Sequence, residues 1–175
     1  MKKVALHNLG CKVNAYETEA MQEMLEHAGY EIVPFQEGAD IYVINTCTVT
    51  NIADRKSRQM LHRARKMNPD AVVVAAGCYV QAQAEKQVID PCIDIVLGNN
   101  KKQDLLTALQ AYEEAHGDLR EVIDINHTKE YENLHLTKQG EHTRAYIKVQ
   151  DGCNQFCSYC IICLLYTSPS PRDRS

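Results

Sequence analysis

The chain has 175 residues, of which 45% are hydrophobic and 24% charged, and its formal net charge is −4. This composition is typical of a globular protein with a real core, and its mild acidity excludes a protein that attracts nucleic acid by overall charge. The sequence has no apolar run of about 18 residues or more, so we expect no membrane-spanning segment and a cytoplasmic location. Eight cysteines in a cytoplasmic chain indicate metal or redox chemistry rather than disulfides.

Short β-rich runs alternate with helical patterns along the first 116 residues. In chain order, we predict the strand KKVALHNL, the helix AYETEAMQEMLEHAG, the strands YEIVPF and DIYVINTC, the helix NIADRKSRQMLHRARKM, the strand DAVVVAAGC, the helix VQAQAEKQVI, the strand IDIVLG and the helix KKQDLLTALQAYEEA. Asn14 with Glu17 predicts a capping box at the start of the first helix, and Gly29 is predicted to end it. The alternation predicts an α/β fold, a flavodoxin-like doubly wound parallel five-stranded sheet.

The pattern weakens from about residue 117. Residues 117–143 are polar and are predicted to form a connector, and the β-rich run TRAYIKVQ then leads directly into Cys153. The final segment, YTSPSPRDRS, has no apolar periodicity and is predicted to be disordered or extended.

Three cysteines follow three of the predicted strands. Cys11 follows the first strand, Cys47 ends the third and Cys78 ends the fourth. With the strand order 2-1-3-4-5 these strands are neighbours, so the thiols converge at the edge where open parallel sheets bind ligands. Thiolates are soft ligands for iron–sulfur clusters or zinc. The alternative is that each cysteine is a small buried core residue, but their shared position favours a metal site.

The residues beside these cysteines support the same interpretation. Gly10 and Gly77 each precede a cysteine and allow the backbone to bend around a bulky cluster. Asn45 and Thr46 are predicted to offer hydrogen-bond donors to sulfide or thiolate. Cys92 is not at a strand end and is predicted to be structural.

A second group of cysteines forms a CxxxCxxC array after the strand TRAYIKVQ: Cys153, Cys157 and Cys160. Such an array brings together three thiolates, which can hold a 4Fe–4S cluster by three irons and leave the fourth iron open. Zinc is the alternative, but zinc sites usually combine CxxC pairs with histidine, and no histidine stands at such a spacing beside Cys153.

Four segments, in the order LGCKVNAYETE, INTCTVTNIADRKSRQ, AAGCYVQ and VQDGCNQFCSYCII, together resemble the radical-SAM methylthiotransferases. The resemblance covers residues 1 to about 162. The sequences of these motifs are more similar to the branch that modifies threonylcarbamoyladenosine in tRNA than to the branches that modify isopentenyladenosine or a ribosomal protein. It implies a methylthiotransferase N-terminal domain over residues 1–116, the connector over 117–143 and the start of a radical-SAM β/α barrel over 144–162.

The resemblance also implies two 4Fe–4S clusters and S-adenosylmethionine. The auxiliary cluster would be held by Cys11, Cys47 and Cys78, and the radical-SAM cluster by Cys153, Cys157 and Cys160. The open iron of the second cluster would chelate S-adenosylmethionine, whose cleavage gives a radical that takes hydrogen from a base carbon. The auxiliary cluster would deliver sulfur. The implied partners are tRNA and a reductant such as flavodoxin or ferredoxin.

The end of the chain departs from the family. Cys163 stands where the family has proline, and LLYTSPSPRDRS matches nothing in the barrel, which needs about 250 residues when complete. We therefore expect an N-terminal fragment with a non-family tail over residues 163–175 and no turnover by itself.

The second predicted helix is the most basic segment of the chain. Its outer face is predicted to carry Arg55, Arg58, His62, Arg65 and Lys66, which would contact tRNA phosphates. The alternative is a solvated helix face.

The leading hypothesis is therefore a tRNA-modifying radical-SAM methylthiotransferase. Two alternatives stay open at this point: an iron–sulfur-binding or electron-transfer module without catalysis, and a zinc-stabilised RNA-binding domain.

Overall fold

The computed structural model describes residues 1–85, 90–99, 101–115 and 119–121, together with 134, 148, 153, 155, 157–160 and 162. The strands are β1 (Lys3–Asn8), β2 (Glu31–Val33), β3 (Ile41–Thr46), β4 (Val72–Gly77), β5 (Ile95–Leu97) and β6 (Leu119–Glu121). The helices are α1 (Lys12–His27), α2 (Asn51–Met67), α3 (Cys78–Glu85) and α4 (Leu105–Ala115), and a short 3₁₀ turn, Lys102–Asp104, precedes α4.

All six strands are parallel and follow the order β2-β1-β3-β4-β5-β6. The first five strands have the predicted order, which confirms the flavodoxin-like α/β class. The sixth, β6, pairs with β5 and lies in the segment that the sequence assigns to the connector. The chain reverses its direction of travel across the sheet between β1 and β3, where ligand crevices form in open parallel sheets.

The helices cover both faces of the sheet because alternate strand residues point to opposite sides. One core cluster combines Leu61 and Ala64 of α2 with Tyr79 and Val80 of α3, and the other combines α1 with α4 through side chains such as Met21. β3, at the centre, is buried along its whole length. Its carboxyl end is therefore held rigidly between two packed layers.

The two ends of α1 differ from the prediction in opposite ways. At its carboxyl end, the N–H of Gly29 donates to Glu26 and the N–H of Tyr30 donates to Leu25, both at 3.0 Å. With Gly29 at φ +87°, these bonds form a Schellman ending, as predicted. At its amino end the predicted capping box is wrong, because α1 begins at Lys12 after Cys11.

Several predicted features lie outside the described residues. They include residues 86–89 of the third helix, all of the strand TRAYIKVQ except Lys148, and the tail 163–175. The domain boundaries stay predictions. Within the part of the chain that the structure describes, no helix is long and apolar enough to cross a membrane.

Candidate metal centre

Cys47 and Cys78 directly follow two neighbouring strands at the carboxyl edge of the sheet. Thr46, the last residue of β3, pairs with Gly77, the last residue of β4, and each cysteine directly follows its strand. Both cysteines are only 3% exposed. The parallel register therefore places two cysteines that are 31 residues apart in the sequence at the ends of adjacent strands.

Cys11 reaches the same edge from β1. The pairing of β1 with β3 continues past the strand, since the N–H of Leu9 donates to the carbonyl of Asn45 at 3.0 Å. Gly10 then turns the chain at φ +102°, and a Cβ at this position would lie 2.6 Å from both Cβ and Sγ of Cys47. Gly10 is thus packed directly against Cys47. Cys11, which follows it, is exposed.

Asn14 fastens the start of α1 to this edge. Its Nδ2 donates to the carbonyl of Leu9 at 2.8 Å and to that of Thr46 at 3.0 Å. Its Oδ1 lies 3.7 Å from Sγ of Cys11. Asn14 is buried and bridges the Cys11 and Cys47 loops. The sequence predicts Asn14 as part of a helix cap. Its position three residues after Cys11 instead makes the two residues neighbours at the start of α1.

The expected role of Asn45 and Thr46 needs a correction. Nδ2 of Asn45 donates to the carbonyl of Asn14 at 3.0 Å and to Oγ1 of Thr18 at 3.2 Å. The hydroxyl of Thr46 donates to the carbonyl of Ala76 at 2.5 Å. Both side chains therefore use their donors to hold the strand ends together, and these donors are not available to sulfide or thiolate.

Two glycines allow the backbone segments at this edge to pack closely, because a side chain at either position would clash with its neighbours. A Cβ at Gly77, whose φ is +95°, would lie 2.7 Å from Oδ1 of Asn45 and from the carbonyl oxygen of Thr46. In the same way, Gly10 has no side chain that would clash with Cys47. Oδ1 of Asn45 is buried and has no hydrogen-bond partner among the described residues. The close packing at both glycines sets the positions of the cysteines that follow them.

The donor set at this edge fits an iron–sulfur cluster. Three thiols are soft donors of the kind that such clusters use. Cys11 is the residue before α1 and Cys78 is the first residue of α3, and helix N-termini favour negatively charged groups because their free N–H groups point outward.

The cysteines of the CxxxCxxC array are more exposed. Cys157 is exposed, Cys153 and Cys160 are half-buried, and the N–H of Cys160 donates to the carbonyl of Cys157 at 2.9 Å. This bond closes a local turn that keeps the last two cysteines of the array close together.

The basic face of α2 is smaller than predicted. Arg55, Arg58 and Lys66 are exposed, in agreement with the expected outer face. Arg65 is only partly exposed, because its guanidinium is held by groups of the protein. Its guanidinium donates to the carbonyls of Pro69 and Ala71, both at 2.8 Å, and to that of Cys92 at 3.1 Å.

Arg65 also pairs with Asp94. Asp94 in turn accepts from the N–H of Val73 at 2.7 Å. Arg65 therefore joins the end of α2 to the starts of β4 and β5. The sequence could not separate it from its exposed neighbours, because its partners come from distant segments.

A second group of metal-binding residue types lies beside the contacts of Arg65, since Arg65 donates to the carbonyl of Cys92. His62, Asp90 and Cys92 have ligand atoms within 4.8 Å of one another, and Nε2 of His62 lies 2.7 Å from Oδ2 of Asp90. Burial, together with the bond to Asp90, raises the pKa of the Cys92 thiol to about 12. Cys92 is 7% exposed, and its protonated, buried thiol agrees with the structural role predicted for it.

The fold and this edge define an α/β protein with three cysteines at the ligand-binding end of a flavodoxin-like parallel sheet. The family model described as "Uncharacterized protein family UPF0004" matches residues 3–98, and the chain belongs to that family. The resemblance to the methylthiotransferases is also confirmed by curated relatives.

Two of these relatives are called threonylcarbamoyladenosine tRNA methylthiotransferase MtaB. The protein from Bacillus subtilis is 45% identical over 162 residues, which cover 93% of this chain and 36% of the relative. The protein from Aquifex aeolicus is 42% identical over 160 residues, with 91% and 39% covered. A tRNA-2-methylthio-N(6)-dimethylallyladenosine synthase from Ehrlichia canis is 30% identical over 170 residues, with 93% and 38% covered.

The chain thus spans little more than a third of the length of these relatives.

Proposed function

We propose that this chain is the cluster-carrying front part of a tRNA methylthiotransferase that uses radical-SAM chemistry. The modified base would be threonylcarbamoyladenosine next to the anticodon, and the product its 2-methylthio derivative. The observation that carries the proposal is the register of β3 with β4, which places Cys47 and Cys78 at the ends of adjacent strands, with Gly10 of the Cys11 loop packed on Cys47.

In this proposal Cys11, Cys47 and Cys78 hold the auxiliary 4Fe–4S cluster, and Cys153, Cys157 and Cys160 hold the radical-SAM cluster. When bound, the two clusters and S-adenosylmethionine supply the radical, the sulfur and the methyl group. The described residues have a different task, which is to hold the thiols in place. Asn14 does this by donating to the carbonyls of Leu9 and Thr46, which joins the loops of Cys11 and Cys47. Gly10 packs on Cys47, and Gly77, which precedes Cys78, packs on Asn45 and Thr46.

The choice of base is supported by the relatives. The two relatives named for threonylcarbamoyladenosine are 45% and 42% identical to this chain, whereas the one named for dimethylallyladenosine is 30% identical. Because the chain spans only part of these proteins, we expect the substrate pocket to require residues beyond this segment. We accordingly propose that this chain has no turnover by itself, and that tRNA and a reductant such as flavodoxin or ferredoxin are partners of the longer enzyme in the cytoplasm.

The first test measures iron and acid-labile sulfide per chain after anaerobic reconstitution. The unchanged chain is compared with a variant that carries Cys11→Ala, Cys47→Ala and Cys78→Ala. We expect the variant to lose about four irons, as for one cube held by cysteine thiolates. The matched control is Cys92→Ala, which removes a buried cysteine away from this edge and is expected to keep all iron.

A second measurement tests the reaction itself. The segment is joined to the remaining length of a relative, and tRNA is analysed for methylthiolated threonylcarbamoyladenosine. Iron without any methylthiolated product would support an electron-transfer module instead. Zinc in place of iron, or iron that is unchanged in the triple variant, would contradict the strand-end site.

A further inference from the structure

A fully buried charged group of the described structure lies on α1. The side chain of Glu17 is 0% exposed. Its Oε2 accepts from Nζ of Lys102 at 2.7 Å, and its Oε1 accepts from Nζ of Lys148 at 2.9 Å. The side chains of Lys102 and Lys148 are 0% and 3% exposed. We call these three residues the Glu17 cluster.

The two lysines come from different parts of the chain. Lys102 belongs to the 3₁₀ turn before α4, and its ammonium also donates to the carbonyl of Asn99 at 3.3 Å. Lys148 is 131 residues from Glu17 along the chain and precedes Cys153 by five residues. Glu17 therefore ties Lys148, five residues before the cysteine-rich array, to the α/β domain.

The same helix also contacts the strand-end site. Cys11 directly precedes α1. Asn14 and Glu17 are three residues apart, which makes them neighbours on the helix surface, and both are buried. Asn14 donates to the carbonyl of Thr46 at 3.0 Å. About one turn of α1 thus separates Asn14, which bonds to the Cys47 loop, from Glu17, which pairs with Lys148.

A further contact joins the same helix to the region before the array. The hydroxyl of Tyr16 donates to the carbonyl of Leu134 at 3.0 Å, and Leu134 is 6% exposed. Helix α1 is therefore covered at two places by residues that come after the sixth strand.

A buried ion cluster fixes the positions of its members but adds little to the net stability of the fold. Burial raises the pKa of a carboxyl group, but the two ammonium groups outweigh it, and the pKa of Glu17 lies below its usual range. Removing one partner of a buried pair is costly because it leaves a desolvated charge, whereas the intact pair adds little net stability. Such a cluster allows one arrangement of its three chain segments.

We propose that Glu17 is a positioning residue, which fixes Lys148 and the start of the cysteine-rich array against the helix that begins at Cys11. Its role in catalysis rests on the proposed function, because sulfur insertion would require the two groups of cysteines to face the same substrate base. The structural part of the proposal does not depend on any reaction.

The first test measures the reactivity of lysines toward an amine-acylating reagent in the native chain, read residue by residue by mass spectrometry. We expect Lys148 to react at least tenfold more slowly than the exposed Lys66 of α2, which serves as an internal standard. Glu17→Gln is expected to bring Lys148 to within a few fold of Lys66. The matched control is Glu26→Gln, an exposed change on the same helix, which should leave Lys148 protected.

Lys148→Met is a second variant, for the case that Glu17→Gln does not fold. It keeps the Glu17–Lys102 pair inside the α/β domain. In the full-length enzyme we expect Lys148→Met to keep the iron content of both cysteine groups and to form at least tenfold less methylthiolated tRNA. Lys148→Arg, which keeps the charge, is expected to restore product.

The outcomes separate the two proposals. Equal acylation of Lys148 and Lys66 in the unchanged chain overturns the positioning role, even in an active enzyme. Full activity of the Lys148→Met enzyme also overturns its catalytic part. Protected Lys148 in an unchanged full-length enzyme that makes no methylthiolated tRNA leaves the Glu17 cluster standing and rejects the proposed function.

Discussion

Ser57 and Cys47 exchange two hydrogen bonds between a helix hydroxyl and the backbone of a candidate ligand. The hydroxyl of Ser57 donates to the carbonyl of Cys47 at 2.8 Å and accepts from its N–H at 3.0 Å. Ser57 is fully buried on the inner face of α2. The helix therefore satisfies both backbone groups of Cys47 at the point where β3 has ended and no strand partner remains.

This relationship predicts that Ser57→Ala destabilises the protein. The change leaves a buried N–H and a buried carbonyl without their partner, and each unsatisfied group costs about 1–3 kcal/mol. We expect the free energy of unfolding, measured by urea titration of the cluster-free chain, to fall by at least about 1 kcal/mol. Gln59→Ala, an exposed change on the same helix, is the control and should have little effect. Equal stability of the two variants would contradict the role of Ser57.

A second prediction concerns the space that Gly10 leaves for Cys47. Gly10→Ala would place a Cβ 2.6 Å from Sγ of Cys47, in a backbone conformation with φ +102°. Gly38 has φ +99° but no atom within 4 Å of a Cβ, so Gly38→Ala measures the backbone strain alone, about 1–3 kcal/mol.

We therefore expect Gly10→Ala to destabilise the chain more than Gly38→Ala does and to reduce the iron bound after reconstitution. Gly38→Ala should keep its iron. Differential scanning calorimetry and iron analysis on both variants check this. Identical losses of stability would show that the contact with Cys47 can relax without cost.

The sheet was predictable because its strands are short apolar runs separated by helical patterns, and each run carries its own signal. The α1 cap was not, since Asn14 and Glu17 form a capping pattern locally but find their partners in Thr46 and Lys102. Partners that are distant in the sequence leave no mark in the spacing of residues. For the same reason the sequence does not distinguish Arg65 from Arg58. The two arginines lie on one helix, but Arg65 has distant partners, at Cys92 and Asp94, whereas Arg58 is exposed.

Those two arginines give a third prediction. Arg65→Ala removes hydrogen bonds to three carbonyls and the pair with Asp94, and bonds to charged groups contribute about 1.5–3 kcal/mol each. We expect it to lower the free energy of unfolding by at least about 2 kcal/mol. Arg58→Ala, an exposed change, should leave stability within about 0.5 kcal/mol of the unchanged chain.

For tRNA binding we expect the exposed arginines of α2 to matter. In a filter-binding titration with tRNA, we expect Arg55→Glu combined with Arg58→Glu to weaken binding and to reduce its salt dependence, because phosphate contacts release counterions. Lys3→Glu, at the opposite edge of the sheet, carries an exposed charge reversal as the control. Equal weakening by Lys3→Glu would indicate a general charge effect and not a basic site on α2.

A fourth prediction is the pH dependence that arises from His7. Its ring lies 4.9 Å from that of Phe35 between ring centroids, and burial, with a smaller repulsion from Arg63, holds the pKa of His7 below its usual value. The unfolded chain therefore binds this proton more readily than the folded chain does. The stability that His7 contributes is present above the unfolded pKa, about 6.5, and is lost as the pH falls through the lower folded pKa.

We expect the free energy of unfolding to decrease between about pH 7.5 and about pH 5.5, and His7→Gln to make that decrease smaller because glutamine does not titrate. The matched control is His27→Gln, which removes an exposed histidine at the end of α1 and should leave the contribution of His7 in place. Urea titrations at the two pH values on all three proteins provide the comparison. A His7→Gln variant that loses stability as steeply as the unchanged chain would show that other groups set the pH dependence.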